Sequence, residues 1–548
     1  MNSAARPEIS RDARLKLRAG VKVLLRAESR RCYVNKPAVI PVRTIDEAYH
    51  KLLDTETRPV PASYRRDNPI EPGPTLVPVK QYTSREFHDL EVEKIWKRAW
   101  QMACHEDDMP NVGDYVPYDI AGLSFLVVRT GQDEFKAYYN ACLHRGRKLR
   151  ENRGRQATEL RCPFHGWTWN LDGTLRQVPC QWDFPGLKHS EQSLPEVKTG
   201  RWGRYIFINP DPDCEPLEDF LGDLSSHFEV LPYEKRYKSA HVAKILRCNW
   251  KVASEAFMES YHVIATHPQI VLGGVHDVDT KYDVFGNYSR AIRCGALESA
   301  GQPDWGPLPD DGRPRLRHPL NGWVYEATDD GLVRVTTPKG KWGLFTANAE
   351  PVDGELGDVN PHLCNWVGGA QLPPSEFEKA MKERAANIDR ADSTPMPVAH
   401  AQVQRDMLKD VIPSIADSIA NIEFSSIFFT VFPNFHPWGS FNSINYRFRP
   451  NGNNPDECIM ECIYLAPIPE NGEYTPVREI HWLGPDDDWV EASELGMLAK
   501  VFNQDTRNLA YVQQGLHATA REHVQFADYN ETKPRHFHML IDEWLARP

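Results

Sequence analysis

The sequence predicts an α+β protein: a small all-β domain followed by a larger domain that mixes helices with an extended sheet. Three observations predict this. Residues 112–178 read as short strands cut by glycine turns: DYVPYDI, LSFLVVRT, EFKAYYNA and WTWNLDGTL. Beyond residue 240, helical periodicities at about 250–266, 375–391, 398–420 and 492–520 are interleaved with apolar strand runs such as SIFFTVF and CIMECIYLAPI. The length, 548 residues, exceeds what one hydrophobic core normally holds. The resulting division is an extended N-terminal arm at 1–80, an all-β domain with a preceding helix at 81–235, and an α+β domain at 236–548.

Taken in order, residues 1–36 carry ten Lys or Arg against three acids, and their longest apolar piece, Val23-Leu24-Leu25, is too short for a signal-peptide core. An amphipathic surface arm is the expectation, with an organelle transit peptide as the alternative. NKPAVIPV and NPIEPGPTLVPV are proline-punctuated and read as extended. Thr83 with Glu86 reads as a capping box, ahead of Phe87, Leu90, Ile95 and Ala99 at helical intervals. His105-Glu106-Asp107-Asp108 reads as a solvated turn, and Cys458 and Cys462 as core positions on one strand face. Residues 298–325 are rich in Pro and Gly, and His536 and His538 fall on a terminal helix as packing or surface residues.

Bulk properties remove several function classes. A composition of 41% hydrophobic and 26% charged residues excludes a mostly disordered chain. The net charge of −12 argues against nucleic acid as a partner. No run of about 18 apolar residues is present, so no membrane span is expected. Eleven dispersed cysteines suit a reducing cytoplasm better than a disulfide framework.

Two constellations carry chemistry. The first is CLHRGRKLRENRGRQATELRCPFHG, residues 142–166. Cys142 with His144, and Cys162 with His165, place one thiolate and one imidazole on each of two tight loops. A structural zinc site also uses two such pairs, but usually keeps like ligands together. One of each per loop suits a [2Fe–2S] centre with two Cys on one iron and two His on the other, at a potential of about −150 to +300 mV. Trp167 and Trp169 follow the second loop and would shield such a centre from water.

The second is EAFMESYHVIATHP, residues 255–268. His262 and His267 are five residues apart, about 140° around a helix, which rules out the i, i+4 pair of a zinc protease. Pro268 disfavours helix at His267, so the helix breaks there and both rings can converge on one metal. Glu259, three residues before His262, lies on its face and can accept a hydrogen bond from it. A third, anionic ligand would complete the facial triad of a non-haem Fe(II) oxygenase. Alone the stretch is weak, since surface or helix-end histidines look the same.

CLHRG and CPFHGWTWNLDG resemble the two ligand loops of the Rieske motif. Where respiratory Rieske subunits have an extra disulfide-forming cysteine in each loop, this chain has Arg147 and Phe164. The resemblance is to the catalytic (α) subunits of Rieske non-haem iron oxygenases, the aromatic-ring-hydroxylating family, and covers roughly 82–545. Asn249-Trp250-Lys251, Glu255, Tyr261, His262 and His267 stand where that family has NWK, Glu and Tyr-His-x4-His. Glu259 stands where it usually has the aspartate that bridges the iron site to a neighbouring subunit's Rieske histidine. FNQDTRNLAYVQQGL resembles the segment supplying the third ligand, with Asp505 as the ligand at the start of a helix and Gln513 as an offset marker eight residues on.

The resemblance implies a helix-grip catalytic domain built on an antiparallel sheet. It implies a [2Fe–2S] Rieske cluster, a mononuclear Fe(II), and NAD(P)H electrons delivered by a flavin reductase and/or ferredoxin. Dioxygen and a small organic substrate, aromatic or polycyclic and apolar, would be consumed. O- or N-demethylation of methoxy-aromatic or quaternary-ammonium substrates is the alternative outcome, and a Rieske electron carrier without oxygenase activity the alternative class. A homotrimer, with or without a β subunit, is implied too. Aromatics of 424–445 line the substrate pocket or pack the core.

Overall fold

The computed structural model describes residues 42–68, 73–271, 280–294, 305–387 and 396–548. The basic stretch 1–36, the start of the Pro/Gly-rich stretch and the end of the 375–391 helix lie outside the described residues. The all-β expectation holds: a six-stranded antiparallel sheet spans 101–209, and a three-stranded sheet from Leu160–Arg161, Thr168–Trp169 and Leu175–Gln177 stands beside it. The two share a core of Leu126, Val128, Tyr138, Leu160, Trp167 and Trp169.

The second region is built on an eight-stranded sheet. In space its strands run Thr280–Phe285, Tyr288–Arg293, Ile427–Val431, Phe435–Pro437, Ile444–Asn451, Asn454–Pro467, Arg236–Leu246 and His481–Leu483. Every pairing is antiparallel except the last, where Val242 opposes His481 in a parallel edge. Side chains alternate along a strand, which gives the sheet two different faces. Arg447 and Arg449 point toward the all-β module, donating to the Met102 and Asp119 carbonyls at 3.0 and 2.7 Å. Tyr446 and Phe448 point the other way, onto Phe257, with ring centroids 5.0 and 5.3 Å apart. The sheet is thus a partition, with the β module on one face and helices on the other. Ile45–Pro548 form one compact unit.

Several expectations need correction. Val42–Asp54, inside the supposedly extended arm, is helical, because Ile45, Tyr49 and Leu53 recur every four residues and bury together. Ser84, not Thr83, caps the next helix. Its hydroxyl accepts the Phe87 N–H at 3.2 Å, while Thr83 ends a preceding turn and Leu90 faces solvent. The 250–266 helix is two pieces, Trp250–Ala256 and Val263–Thr266. The long helix starts at Leu498 rather than 492, after a turn at Gly496 with φ +58°.

The largest correction concerns His105–Asp108, which is buried rather than solvated. Asp107 accepts from Arg204 at 2.6 Å and from the Lys238 backbone N–H at 2.8 Å, and Asp108 pairs with the fully buried Lys238 ammonium. Burial works against a charge on Asp108, but Lys238, His241 and Arg153 outweigh it and hold its pKa down to about 2. His241 in turn bonds Glu461 at 3.1 Å, and Glu461 pairs with Arg447 and Arg449. This chain of charges joins the β module to the partition. His536 and His538 are buried, and Cys458 and Cys462 are core. Apart from Cys294, the cysteines among the described residues are free thiols. No helix among them is long and apolar enough to cross a membrane.

A second joint is the pair of Glu91 and Lys251, both closed to water, at 2.6 Å. Glu91 also accepts from the Trp250 indole at 3.3 Å. Removing one partner leaves a buried charge uncompensated, so Glu91→Ala should cost about 3–5 kcal/mol, read as a lowered urea midpoint. A change below about 1 kcal/mol would contradict the assignment. Acid should destabilise early. Burial, with Lys238, pushes His241 down to about 4, and burial does the same to His536. Both folded pKa values lie below the unfolded imidazole's roughly 6.5, so between these values the unfolded chain binds protons that the folded chain refuses. Their contribution is complete above pH ~6.5 and is lost as pH falls toward 4. Urea midpoints at pH 7.5, 6 and 5 should decline in that order.

Candidate functional site

The first cluster of residues rests on two loops of the same construction. In one, the Cys142 N–H bonds the Arg147 carbonyl and the Gly146 N–H bonds the Cys142 carbonyl, both at 2.8 Å. In the other, the Cys162 N–H bonds the Trp167 carbonyl at 2.8 Å and the Gly166 N–H bonds the Cys162 carbonyl at 3.0 Å. Gly146 and Gly166 close these turns at φ +71° and +78°, a region that side chains disfavour.

Both thiols are buried. Burial pushes the Cys142 thiol up and Cys162 adds to this, while the N–H groups of His144 and Arg145, bonded to Cys142, pull it down. The His144 and His165 rings lie 4.6 Å apart. Trp167 stacks on His144 at 5.2 Å and 4°, and Phe184 closes edge-on over both. His144 Nδ1 is buried with no hydrogen-bond partner in the protein. An orphaned imidazole nitrogen beside two buried thiols, of which Cys142 accepts backbone N–H groups, fits a centre taking two thiolates and two imidazoles. His165 and Phe164 are exposed, as is Trp182 nearby in sequence.

The second cluster forms where the Trp250–Ala256 helix ends. Phe257–Tyr261 unwind, His262 caps the one-turn helix Val263–Thr266, and His267 leaves it at φ −123°, ψ 54°. The break expected at His267 is present, and a second, earlier break brings Glu259 into play. Glu259 chelates His262 through both its oxygens: one accepts from Nδ1–H at 2.6 Å, the other from the backbone N–H at 3.1 Å. Asp505 enters from the long helix Leu498–Ala518, two turns inside it rather than at its start. One carboxylate oxygen of Asp505 lies 2.7 Å from His267 Nε2 and 3.6 Å from His262 Nε2. The three potential ligand atoms lie within 4.8 Å of one another.

The proton inventory of this trio points to a cation. His262 spends its Nδ1 proton on Glu259, and His267 spends its own on the Gln504 amide oxygen at 2.8 Å. Each Nε2 therefore faces the Asp505 carboxylate, 3.6 Å away for His262 and 2.7 Å for His267, and a proton shared there holds the place that a metal ion would take. Burial opposes charge on His262, yet Glu259 and Asp505 outweigh it and push its pKa up to about 9. The pocket favours positive charge. Two imidazoles and one carboxylate are the donor set of a non-haem Fe(II) centre.

Sequence reasoning missed the partners of these residues. Gln504, Gln269 and the His362 carbonyl form a polar layer behind His267. Glutamine on a helix carries no signal of its own. Gln513 was visible only as a spacing, and its role is concrete: its amide oxygen accepts the Asn249 N–H at 2.9 Å, fixing the long helix against the start of the Asn-Trp-Lys helix.

Two family models match the chain, that of the Rieske [2Fe-2S] domain over residues 99–189, and that of the ring-hydroxylating alpha subunit catalytic domain over 228–322 and 366–547. This chain belongs to the ring-hydroxylating alpha-subunit family. The cofactors of the family are accordingly a [2Fe–2S] cluster and a mononuclear non-haem iron. Among its relatives, the carnitine monooxygenase oxygenase subunit of Escherichia coli is 29% identical over 194 residues, 35% of this chain and 52% of that protein. The anthranilate 1,2-dioxygenase large subunit of Acinetobacter baylyi is 31% identical over 194 residues, 34% and 41% respectively. The chloroplastic choline monooxygenase of Beta vulgaris is 29% identical over 208 residues, 37% and 46%. The chain thus spans about half the length of the curated relatives it matches. Two solved structures share the fold: a quaternary ammonium Rieske monooxygenase, with TM-score 0.52 and 16% identity, covering 86% of this chain and 95% of that one; and a naphthalene 1,2-dioxygenase bound to phenanthrene, with TM-score 0.52 and 16% identity, covering 87% and 94%.

Proposed function

We propose that this chain is the oxygenase component of a multicomponent, cytoplasmic Rieske system that hydroxylates a small organic substrate with O2. The observation that carries the reading is the His262, His267 and Asp505 trio in the same chain as the Cys142, His144, Cys162 and His165 loops. When bound, a [2Fe–2S] cluster on those loops supplies one-electron transfer, and iron at the trio supplies dioxygen activation. Electrons originate from NAD(P)H and arrive through a flavin reductase and/or a ferredoxin.

The chain's own residues prepare the site. Glu259 keeps the proton on His262 Nδ1 and so turns Nε2 inward. Phe257, which meets Phe502 at 6.0 Å as well as Tyr446 and Phe448, extends an apolar aromatic wall along the sheet face that carries the site. The match to a ring-hydroxylating family supports an aromatic or polycyclic apolar substrate. Relatives named for carnitine and choline support a second reading, monooxygenation or demethylation of a quaternary-ammonium or methoxy-aromatic compound. A pure electron carrier would have no use for the trio.

The chain acts as a homotrimer, with or without a β subunit, in which Glu259 relays electrons from the exposed His165 of a neighbouring copy to His262. Domain limits of 81–235 and 236–548 follow from this division of labour.

Asp505→Ala should lower the iron count at the second site while the visible spectrum of the cluster persists; an unchanged count would remove Asp505 from the ligand set. Glu259→Gln should keep both centres yet slow turnover at least tenfold, and wild-type turnover would end its relay role. Product analysis with the reductase partner, across polycyclic, methoxylated and quaternary-ammonium substrates, decides the substrate class. No oxidation of any of them, by protein with both centres filled, would overturn the oxygenase reading.

A further inference from the structure

The stretch 323–365 falls between the two segments matched by the catalytic-domain model. It contributes four strands to a five-stranded antiparallel meander, Arg315–Arg317, Val324–Ala327, Val333–Thr336, Trp342–Phe345 and Pro351–Gly354, separate from the partition sheet. A helix, Pro361–Gly368, follows. Asn360 caps it, accepting the His362 and Leu363 N–H groups at 2.9 and 3.1 Å, and Pro361 takes the first position, where its missing N–H costs nothing. Leu363, Cys364 and Val367 bury against Tyr325, Val333, Val335 and Phe345 of the meander. Sheet and helix are therefore one module with its own core.

This module docks on the long helix through one row of side chains. Lys500, Gln504 and Arg507 stand at i, i+4 and i+7, hence on one face. Lys500 donates to the Trp366 carbonyl at 2.7 Å and sits 4.6 Å over the Trp366 ring. Arg507 donates to the Asn348 side chain and carbonyl at 2.9 and 3.2 Å. Gln504, between them, donates its amide N–H to the His362 carbonyl at 3.2 Å.

Gln504 is also the residue that meets His267. A backbone carbonyl can only accept, so the His362 contact directs the Gln504 NH2 toward the module and leaves its oxygen facing His267. Gln269 donates to that same oxygen at 2.6 Å. An acceptor at 2.8 Å favours a proton on His267 Nδ1, and a metal ion taking up the Nε2 lone pair on the side where Asp505 lies requires that tautomer. Reversing the amide would put its NH2 against His267, favour the other tautomer, and cancel the ligand.

We propose that the inserted module is a clamp on the metal centre, with Gln504 as the positioning residue. By fixing the orientation of the Gln504 amide, it sets the tautomer and aim of His267. The inference rests on reading His262, His267 and Asp505 as the iron site.

The test is Fe(II) affinity at the second site, measured by equilibrium dialysis on the full chain with the [2Fe–2S] spectrum as internal reference. Gln504→Leu should weaken binding by about 10–100-fold with the cluster spectrum unchanged. Gln504→Glu, which keeps an acceptor for His267, should recover most of that loss. The double variant Lys500→Met/Arg507→Met touches no metal ligand, yet should weaken binding several-fold by loosening the module. Should Gln504→Leu fail to fold, that double variant carries the test. Wild-type affinity in Gln504→Leu, or in the double variant, overturns the clamp. Asp505→Ala separates the two claims: if it too binds Fe(II) normally, the site reading itself has failed.

Discussion

The ion pair of Glu91 and Lys251 is the joint on which the catalytic half depends. Both groups are wholly withdrawn from water, so each is tolerable only because the other is there. Glu91 ends the Arg85–Glu91 helix that leads into the β module, and Lys251 lies in the first turn of Trp250–Ala256. Trp250 adds its indole to the same carboxylate and packs edge-on against Trp96 at 4.9 Å. The start of the Asn-Trp-Lys helix is thereby fixed in position and rotation. Its far end, a few residues on, delivers Glu259, His262 and His267.

The trio of His262, His267 and Asp505 is correspondingly over-determined. His262 is held by Glu259, His267 by Gln504, and Asp505 by a helix pinned through Gln513 to Asn249. The two glutamine restraints are neutral hydrogen bonds, worth about 0.5–1.5 kcal/mol net each, and the Glu259 carboxylate on His262 is charge-assisted and worth about 1.5–3. Together they keep two imidazole Nε2 atoms and one carboxylate facing a single point, where the surrounding charge favours a cation. Preorganisation of this kind sets a site's geometry before its ligand arrives.

Much of this was legible in the sequence where its cause is local. The two cysteine–histidine loops announce themselves because turn, ligands and shielding Trp167 lie within a few residues. Asp505 was found from its offset to Gln513, and the structure supplies the reason for that offset. What escaped reading depends on distant partners. The His105–Asp108 acids look like a solvated turn until Arg204 and Lys238, about 97 and 131 residues away, neutralise them. The unwinding at 257–261 has no glycine or proline to mark it; Glu259 closing on His262 replaces the helical bonds instead. Gln504 is silent because its meaning comes from a carbonyl 142 residues earlier in the chain.

The helix Leu498–Ala518 behaves like a ruler. Positions 500, 504 and 507 engage the 315–368 module, 505 meets His262 and His267, and 513 engages the Asn-Trp-Lys turn. Each residue added or removed would turn everything downstream by about 100° and slide it by about 1.5 Å. Substitutions along this helix can be absorbed one at a time. A change in its residue count cannot, because it would break two or three of these attachments at once. Divergence in this part of the chain is therefore confined to what its residues are, and closed to how many there are.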